Sequence, residues 1–222
     1  MKYFISGIGT NVGKTIVSAI LTEALKADYW KPIQSGTIEG RDSETIKSLI
    51  SNSLSKIHPE VYLLKEPLSP HFAAKIEGIE IELDKIQLSE KYNSHINTAS
   101  VEVQNHLIVE GAGGLLVPIN KGEFVIDMAT KFDCEIILVI SNYLGCINHS
   151  LLSINYLTAN KFKIKALVFN GVFAKEVKQV IIDYAPNIAV IDVPILKEVS
   201  RECVLETSRV IREKYFKLEY DK

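Results

Sequence analysis

Cysteine is scarce: Cys134, Cys146 and Cys203 stand alone in 222 residues, with no CxxC pair and no even set that could build a disulfide framework. Thiols used this sparingly suit a reducing compartment, and the expected location is the cytoplasm. An excess of charge of one sign is missing too, since 25 basic against 27 acidic residues leave a formal charge of −2. A protein that holds nucleic acid by neutralising phosphates needs a basic face, so nucleic acid is not an expected partner. No run approaches the ~18 apolar residues of a membrane span. The opening MKYFISGIGT lacks the apolar stretch of a secretory signal, so neither export nor a membrane partner is expected. Internal repeats and low-complexity tracts are absent. What is present, 47% apolar and 23% charged residues, is the composition of a folded chain. The length suits one large core, and 1–222 reads as a single domain.

Short apolar runs alternate with helical patterns. Strand-like runs fall at 3–6, 29–33, 106–109, 135–140, 165–169 and 188–191. They are continuous rather than alternating, as in EIILVI, so both faces of each strand are buried. Helices are predicted over 15–27, 42–52, 124–132, 147–160, 174–184 and 201–217. This pattern predicts an α/β protein with three layers, a mostly parallel sheet with helices on both faces. The stretch 54–105 is mixed in composition and reads as an insertion carrying helices.

Gly7-Ile8-Gly9-Thr10-Asn11-Val12-Gly13-Lys14-Thr15 joins the first strand to the first helix. Backbone N–H groups of such a loop, backed by a helix N-terminus, cradle a polyphosphate. Lys14 is placed to reach the β- and γ-phosphates, and the Thr15 hydroxyl to bind Mg²⁺. Against the pattern GxxxxGK[ST], the first glycine position holds Ile8; Gly7 lies one residue earlier, so the loop is one residue longer. A chance glycine turn is the bland alternative, but GKT between a strand and a helix argues against it.

In parallel α/β sheets ligands sit at the carboxyl ends of strands. Lys31 follows the second strand, Asp42 opens the next helix, and Glu110 ends the third strand ahead of Gly111-Ala112-Gly113-Gly114. Two carboxylates with the Thr15 hydroxyl make an oxygen-rich set suited to Mg²⁺. Lys31 adds positive charge where a transferring phosphoryl group needs it. Taken alone, Asp42 reads equally as an ordinary helix cap and Lys31 as a surface lysine. Glu110 is different, because an acid closing an apolar strand is costly unless a cation meets it.

Five segments in order, GIGTNVGKT, KPIQSG, EPLSPH, VEGAGGLLVPI and LGCINHS, resemble dethiobiotin synthetase over most of the chain. The resemblance implies about seven parallel strands, a homodimer, and ATP-dependent carboxylation of 7,8-diaminononanoate by CO₂ or bicarbonate. In that reaction one amine takes up CO₂ as a carbamate. The carbamate attacks the γ-phosphate to give a carbamic–phosphoric anhydride, and the second amine closes the ureido ring and releases phosphate. Biotin biosynthesis is the implied setting.

Carried over by position, the resemblance makes Thr10, Lys14, Lys31 and Ser35 catalytic, with Ser35 beside the carbamate. Gly9, Thr10, Asn11, Val12, Gly13, Lys14 and Thr15 hold the nucleotide phosphates. Asn170 reads the adenine edge, and Val193 and Pro194 close over the base. Thr15, Asp42 and Glu110 ligate Mg²⁺. Substrate lies against Ser35, Gly111, Ala112 and Gly113, and its carboxylate is received by Gly145, Cys146, Ile147 and Asn148 across the dimer interface. A helix start there offers free N–H donors to an anion.

One departure stands out: many members carry glutamate where this chain has Asn11, and an amide lacks that charge. His71 and His149 receive no role, and Cys146 reads as a packing residue. Val204, Ile211, Tyr215 and Leu218 share a helical face that suits core or dimer contact more than a membrane anchor. The alternative is a dimerising ATPase switch of the partitioning or septum-placement kind. Such proteins carry an extra lysine early in the loop, and Gly7-Ile8-Gly9-Thr10 has none.

Overall fold

A computed structural model describes residues 1–88 and 106–216. The main sheet contains β1 (Lys2–Gly7), β2 (Asp28–Trp30), β4 (Ile57–His58), β6 (Leu107–Gly114), β7 (Glu135–Ser141), β8 (Ile164–Asn170) and β9 (Ala189–Val193). Their order is β4-β2-β6-β1-β7-β8-β9, and every pairing is parallel. β3 (Ile33–Ser35) and β5 (Tyr62–Leu64) form a separate parallel pair. The central strands are buried on both faces: Tyr3 to Ile5 and Ile136 to Ile140 are fully inaccessible. The continuous apolar runs announced this.

The helices are α1 (Lys14–Leu25), α2 (Asp42–Leu49), α3 (Pro70–Ile76), α4 (Asp127–Phe132), α5 (Cys146–Ala159), α6 (Lys175–Tyr184) and α7 (Arg201–Tyr215). From β1 the chain passes through α1 to β2, in one direction across the sheet. From β7 it passes through α5 and α6 to β8 and β9, in the other. Right-handed crossovers running in opposite directions place their helices on opposite faces and open a crevice at the strand ends near β1. Helix α7 packs on α1, with Val204 and Ile211 buried, so its apolar face is core; Leu218 lies outside the described residues. No helix among the described residues is long and apolar enough to cross a membrane. All three cysteines are free.

Three expectations are corrected. The run 29–33 divides: β2 ends at Trp30 in the main sheet, and after Lys31-Pro32 the chain enters β3 of the small sheet. Proline has no N–H for a ladder, which explains the break. Glu110 does not end its strand, because β6 runs on through the glycines and Gly114 pairs with Gly7 after an irregularity. The stretch 54–105 is not purely helical: its described part contributes edge strand β4, strand β5 and helix α3, and 89–105 lie outside the described residues.

Candidate active site

The loop between β1 and α1 is shaped by its small residues. Gly13 caps α1 at φ 90°, and a Cβ there would sit 2.0 Å from the Asn170 amide nitrogen. No L side chain fits that position. Asn11 adopts φ 57°, a left-handed conformation that asparagine tolerates. No side chain caps the start of α1, so its first N–H groups remain free for an anion. Lys14 is buried, and its Nζ donates to the Gly9 carbonyl at 3.0 Å, folding over the loop. Burial, with Lys31 nearby and only partly offset by Glu110, pulls its pKa down to about 8.

Register explains the acid–lysine cluster. Tyr29 pairs with Ile108 and Ile5 with Glu110, so period two puts Tyr29, Ile108 and Glu110 on one face of the sheet, and Lys31, just past the end of β2, reaches Glu110 as well. Helix α1 covers this face, since Thr15 Oγ1 donates to Glu110 Oε1 at 3.1 Å. Lys31 Nζ donates to the same oxygen at 3.0 Å and also pairs with Asp42. Burial lowers the Lys31 pKa, but Glu110 and Asp42 outweigh it and hold the ammonium above the usual lysine range. The buried Tyr29 hydroxyl donates to the other oxygen, Glu110 Oε2, at 3.0 Å. Gln34 accepts from the Asp42 backbone N–H at 3.1 Å and so seats the first residue of α2, whose cap position is Arg41 rather than Asp42.

A cation already rests between two carboxylates here, with a hydroxyl on the same Glu110 oxygen. Thr15, Asp42 and Glu110 thus fit a Mg²⁺ site that takes one or two carboxylates and leaves positions for water and phosphate. Among the described residues no cluster of three or more acidic, histidine or cysteine side chains forms a protein-only metal cage.

Most expected residues meet in one cavity of about 710 Å³: Thr10, Asn11, Gly13, Lys14, Thr15, Lys31, Ser35, Asp42, Glu110, Ala112 and Gly113 line it. Pro67 to Pro70 complete its wall. Among the described residues the buried Ser35 hydroxyl has no hydrogen-bond partner, so in this cavity it is available to a ligand. Gly9 lies on an adjoining cavity with Tyr143 and His149, whose hydroxyl and Nδ1 are 2.7 Å apart. Gly111 is outside the lining. A Cβ on it would come within 2.9 Å of Val125 and 3.0 Å of Phe4, so its small size serves core packing. Val12 is buried and offers only its backbone: its carbonyl accepts from Asn170 Nδ2 at 2.9 Å. Val193 pairs with Asn170 across β8 and β9, and Pro194 follows, exposed. Gly145, Cys146, Ile147 and Asn148 at the start of α5 are not among the cavity's lining. His71 is exposed on α3 and also outside it.

Sequence reasoning passed over Tyr29 and Gln34. Tyr29 falls in the run 29–33, which the sequence marks only as strand-like. The available signal was its spacing of two from Lys31, which within a strand puts both side chains on one face.

Fold and site together define a P-loop nucleotide-binding protein of the α/β class. The septum site-determining protein MinD from Pyrococcus horikoshii, solved with Mg-ADP, is similar in fold, with a TM-score of 0.56 at 14% identity, covering 100% of this chain and 98% of that one. A ParA family ATPase from Chlorobium tepidum gives 0.54 at 11%, covering 96% and 92%. At such identity the likeness concerns the fold alone. A family model described as an AAA domain matches residues 1–206. The ATP-dependent dethiobiotin synthetase of Cytophaga hutchinsonii is 45% identical over 91% of this chain and 93% of its own length. That of Christiangramia forsetii is 46% identical over 77% and 76%. The chain belongs to the dethiobiotin synthetase family.

Proposed function

We propose that this cavity binds the triphosphate of ATP beside a carbamate of 7,8-diaminononanoate and joins them in forming dethiobiotin, with residues 1–222 acting as one nucleotide-binding domain. The activity is that of an ATP-dependent cyclo-ligase of biotin biosynthesis. The observation that carries the residue-level reading is the meeting of Lys14, Lys31 and the unpartnered Ser35 hydroxyl in one cavity at the mouth of the phosphate loop.

Each residue has a physical task. The free N–H groups at Gly13 to Thr15 hold phosphate oxygens, and Lys14 turns from the Gly9 carbonyl to the polyphosphate. Lys31 balances charge on the transferring group, and Ser35 donates to the carbamate. Positioning and charge neutralisation account for most of phosphoryl-transfer catalysis. Mg²⁺ held by Thr15, Asp42 and Glu110 would supply further neutralisation at the phosphates. Asn170, Val193 and Pro194, adjacent at the ends of β8 and β9, take the base. Thr10 joins Lys14 and Lys31 around the phosphates, and Ala112 and Gly113 form the wall that substrate lies against.

The start of α5 supports a second element of the reading. Its first residues do not line their own chain's cavity, and the neighbouring Leu144 is fully exposed. Both facts suit a homodimer in which Gly145, Cys146, Ile147 and Asn148 receive the substrate carboxylate of the other subunit. A cytoplasmic location accords with three free thiols. The test is an assay with ATP, Mg²⁺, bicarbonate and the diamine, with product detected by mass. ATP turnover that needs neither diamine nor bicarbonate would instead indicate an ATPase switch.

A further inference from the structure

Glu110 is a carboxylate with almost no exposure, and its two oxygens are used differently. Oε1 meets Thr15 and Lys31, both of which line the cavity. Oε2 meets only the Tyr29 hydroxyl, on strand β2, among the hydrogen bonds of the described residues. We propose that Tyr29 is a positioning residue: its phenol pins Oε2 and so restricts Glu110 to presenting a single oxygen, Oε1, to the metal and to Lys31. The inference rests on the reading of Glu110 as a Mg²⁺ ligand.

First, a carboxylate free at both oxygens can turn about its last bond and offer either or both. Mg²⁺ demands near-octahedral geometry at short range, so a ligand that wanders between one and two contacts is a poor one. A donor on the far oxygen removes that freedom. Second, the donor is itself immobile. Tyr29 is fully buried on β2, and neighbouring Trp30 is anchored on the opposite face by a 2.9 Å bond from its indole N–H to the Pro59 carbonyl. The phenol runs along the sheet from its register partner Ile108 to Glu110, two residues further on the same face. Third, removal of the hydroxyl would leave Oε2 buried without a donor, a costly state that the side chain would escape by turning. Partners of this kind behind a metal ligand typically set affinity by a factor of about 10 to 100.

The test is a cycle of Tyr29→Phe, Glu110→Gln and the double variant, read by Mn²⁺ binding in the presence of nucleotide, using electron paramagnetic resonance. Expected is about a tenfold or greater loss of Mn²⁺ affinity in Tyr29→Phe, with metal-free nucleotide affinity within about twofold of the parent. Raising Mg²⁺ should restore kcat. In the Glu110→Gln background, Tyr29→Phe should add nothing. Tyr29→4-aminophenylalanine, which keeps a donor at the ring's para position, should recover most of the affinity, and it serves as the second variant should Tyr29→Phe fold poorly. Unchanged Mn²⁺ affinity in Tyr29→Phe, with Glu110→Gln impaired, overturns the inference alone. Unchanged affinity in Glu110→Gln overturns the metal-ligand reading beneath it.

Discussion

The Asn170 amide nitrogen donates to the Val12 carbonyl at 2.9 Å, tying the end of β8 to the phosphate loop. The contact is close enough that Gly13 beside it admits no Cβ. One Nδ2 hydrogen is committed to the loop, which leaves Oδ1 and the second amide hydrogen for a base. Asn170→Asp would set an anionic oxygen against the Val12 carbonyl. Steady-state kinetics should show KM for ATP raised about tenfold or more, equivalent to at least ~1.4 kcal/mol of lost binding, with a much smaller change in kcat. An unchanged KM would remove Asn170 from the nucleotide site.

Lys31 links two carboxylates, one of them buried. Lys31→Gln leaves Glu110 facing Asp42 with no cation between them. Breaking such a buried pair by removing one member typically costs about 3–5 kcal/mol. Thermal unfolding in chelator should show a clear loss of stability, and added Mg²⁺ should raise the melting temperature more in the variant than in the parent. Turnover should fall by a factor of about 100 or more, and a drop of only threefold, under ~1 kcal/mol, would refute the electrostatic role.

Lys14 titrates near 8 in the ligand-free protein. Below that pH it is charged with or without nucleotide, and binding takes up no proton at this group. Above it, the free side chain is neutral while a bound polyphosphate favours the ammonium. Nucleotide binding at pH 8.5 to 9 should therefore take up a proton, seen by calorimetry in buffers of differing ionisation enthalpy, and affinity should weaken as pH rises further. The uptake should vanish in Lys14→Gln.

Glu23 on α1 is buried and accepts from the Ser51 and Asn52 backbone N–H groups at 2.7 and 3.0 Å, and from the Asn52 amide at 2.9 Å. Burial pushes its pKa up, but these donors and Lys26 outweigh it and hold the carboxyl at about 2. A carboxylate depressed on folding stabilises above its unfolded pKa of about 4.5, and that contribution is lost as pH falls toward 2. Glu23→Gln should flatten the acid limb of stability over this window and cost about 1–3 kcal/mol at neutral pH, measured by urea unfolding.

The parts of the site that sequence made legible are those carried by short spacing. GKT after a strand placed Lys14 and Thr15, and Lys31 fell at the end of another, whereas Ser35 came only through the family resemblance and lies in β3. Element bounds were nearly right where periodicity is strong, as in α5 and α6. The less legible parts depend on pairing. Nothing local shows that β6 continues past Glu110 to Gly114, because glycines read as loop until a neighbour supplies the ladder. The small β3–β5 sheet is likewise invisible, since each strand has three residues and no period can be read from so few.

By itself, the order of residues determined a parallel sheet buried on both faces, a phosphate loop at its first turn and a family resemblance, because these rest on patterns within a few residues. Only the tertiary structure decided that Tyr29, Lys31, Asp42 and Glu110 form one cluster. Glu110 lies 79 positions beyond Lys31, and they meet because β6, though late in the chain, inserts between β1 and β2. Strand order, and the phase that turns alternate side chains to the same face, are properties of the assembled sheet that no single segment carries.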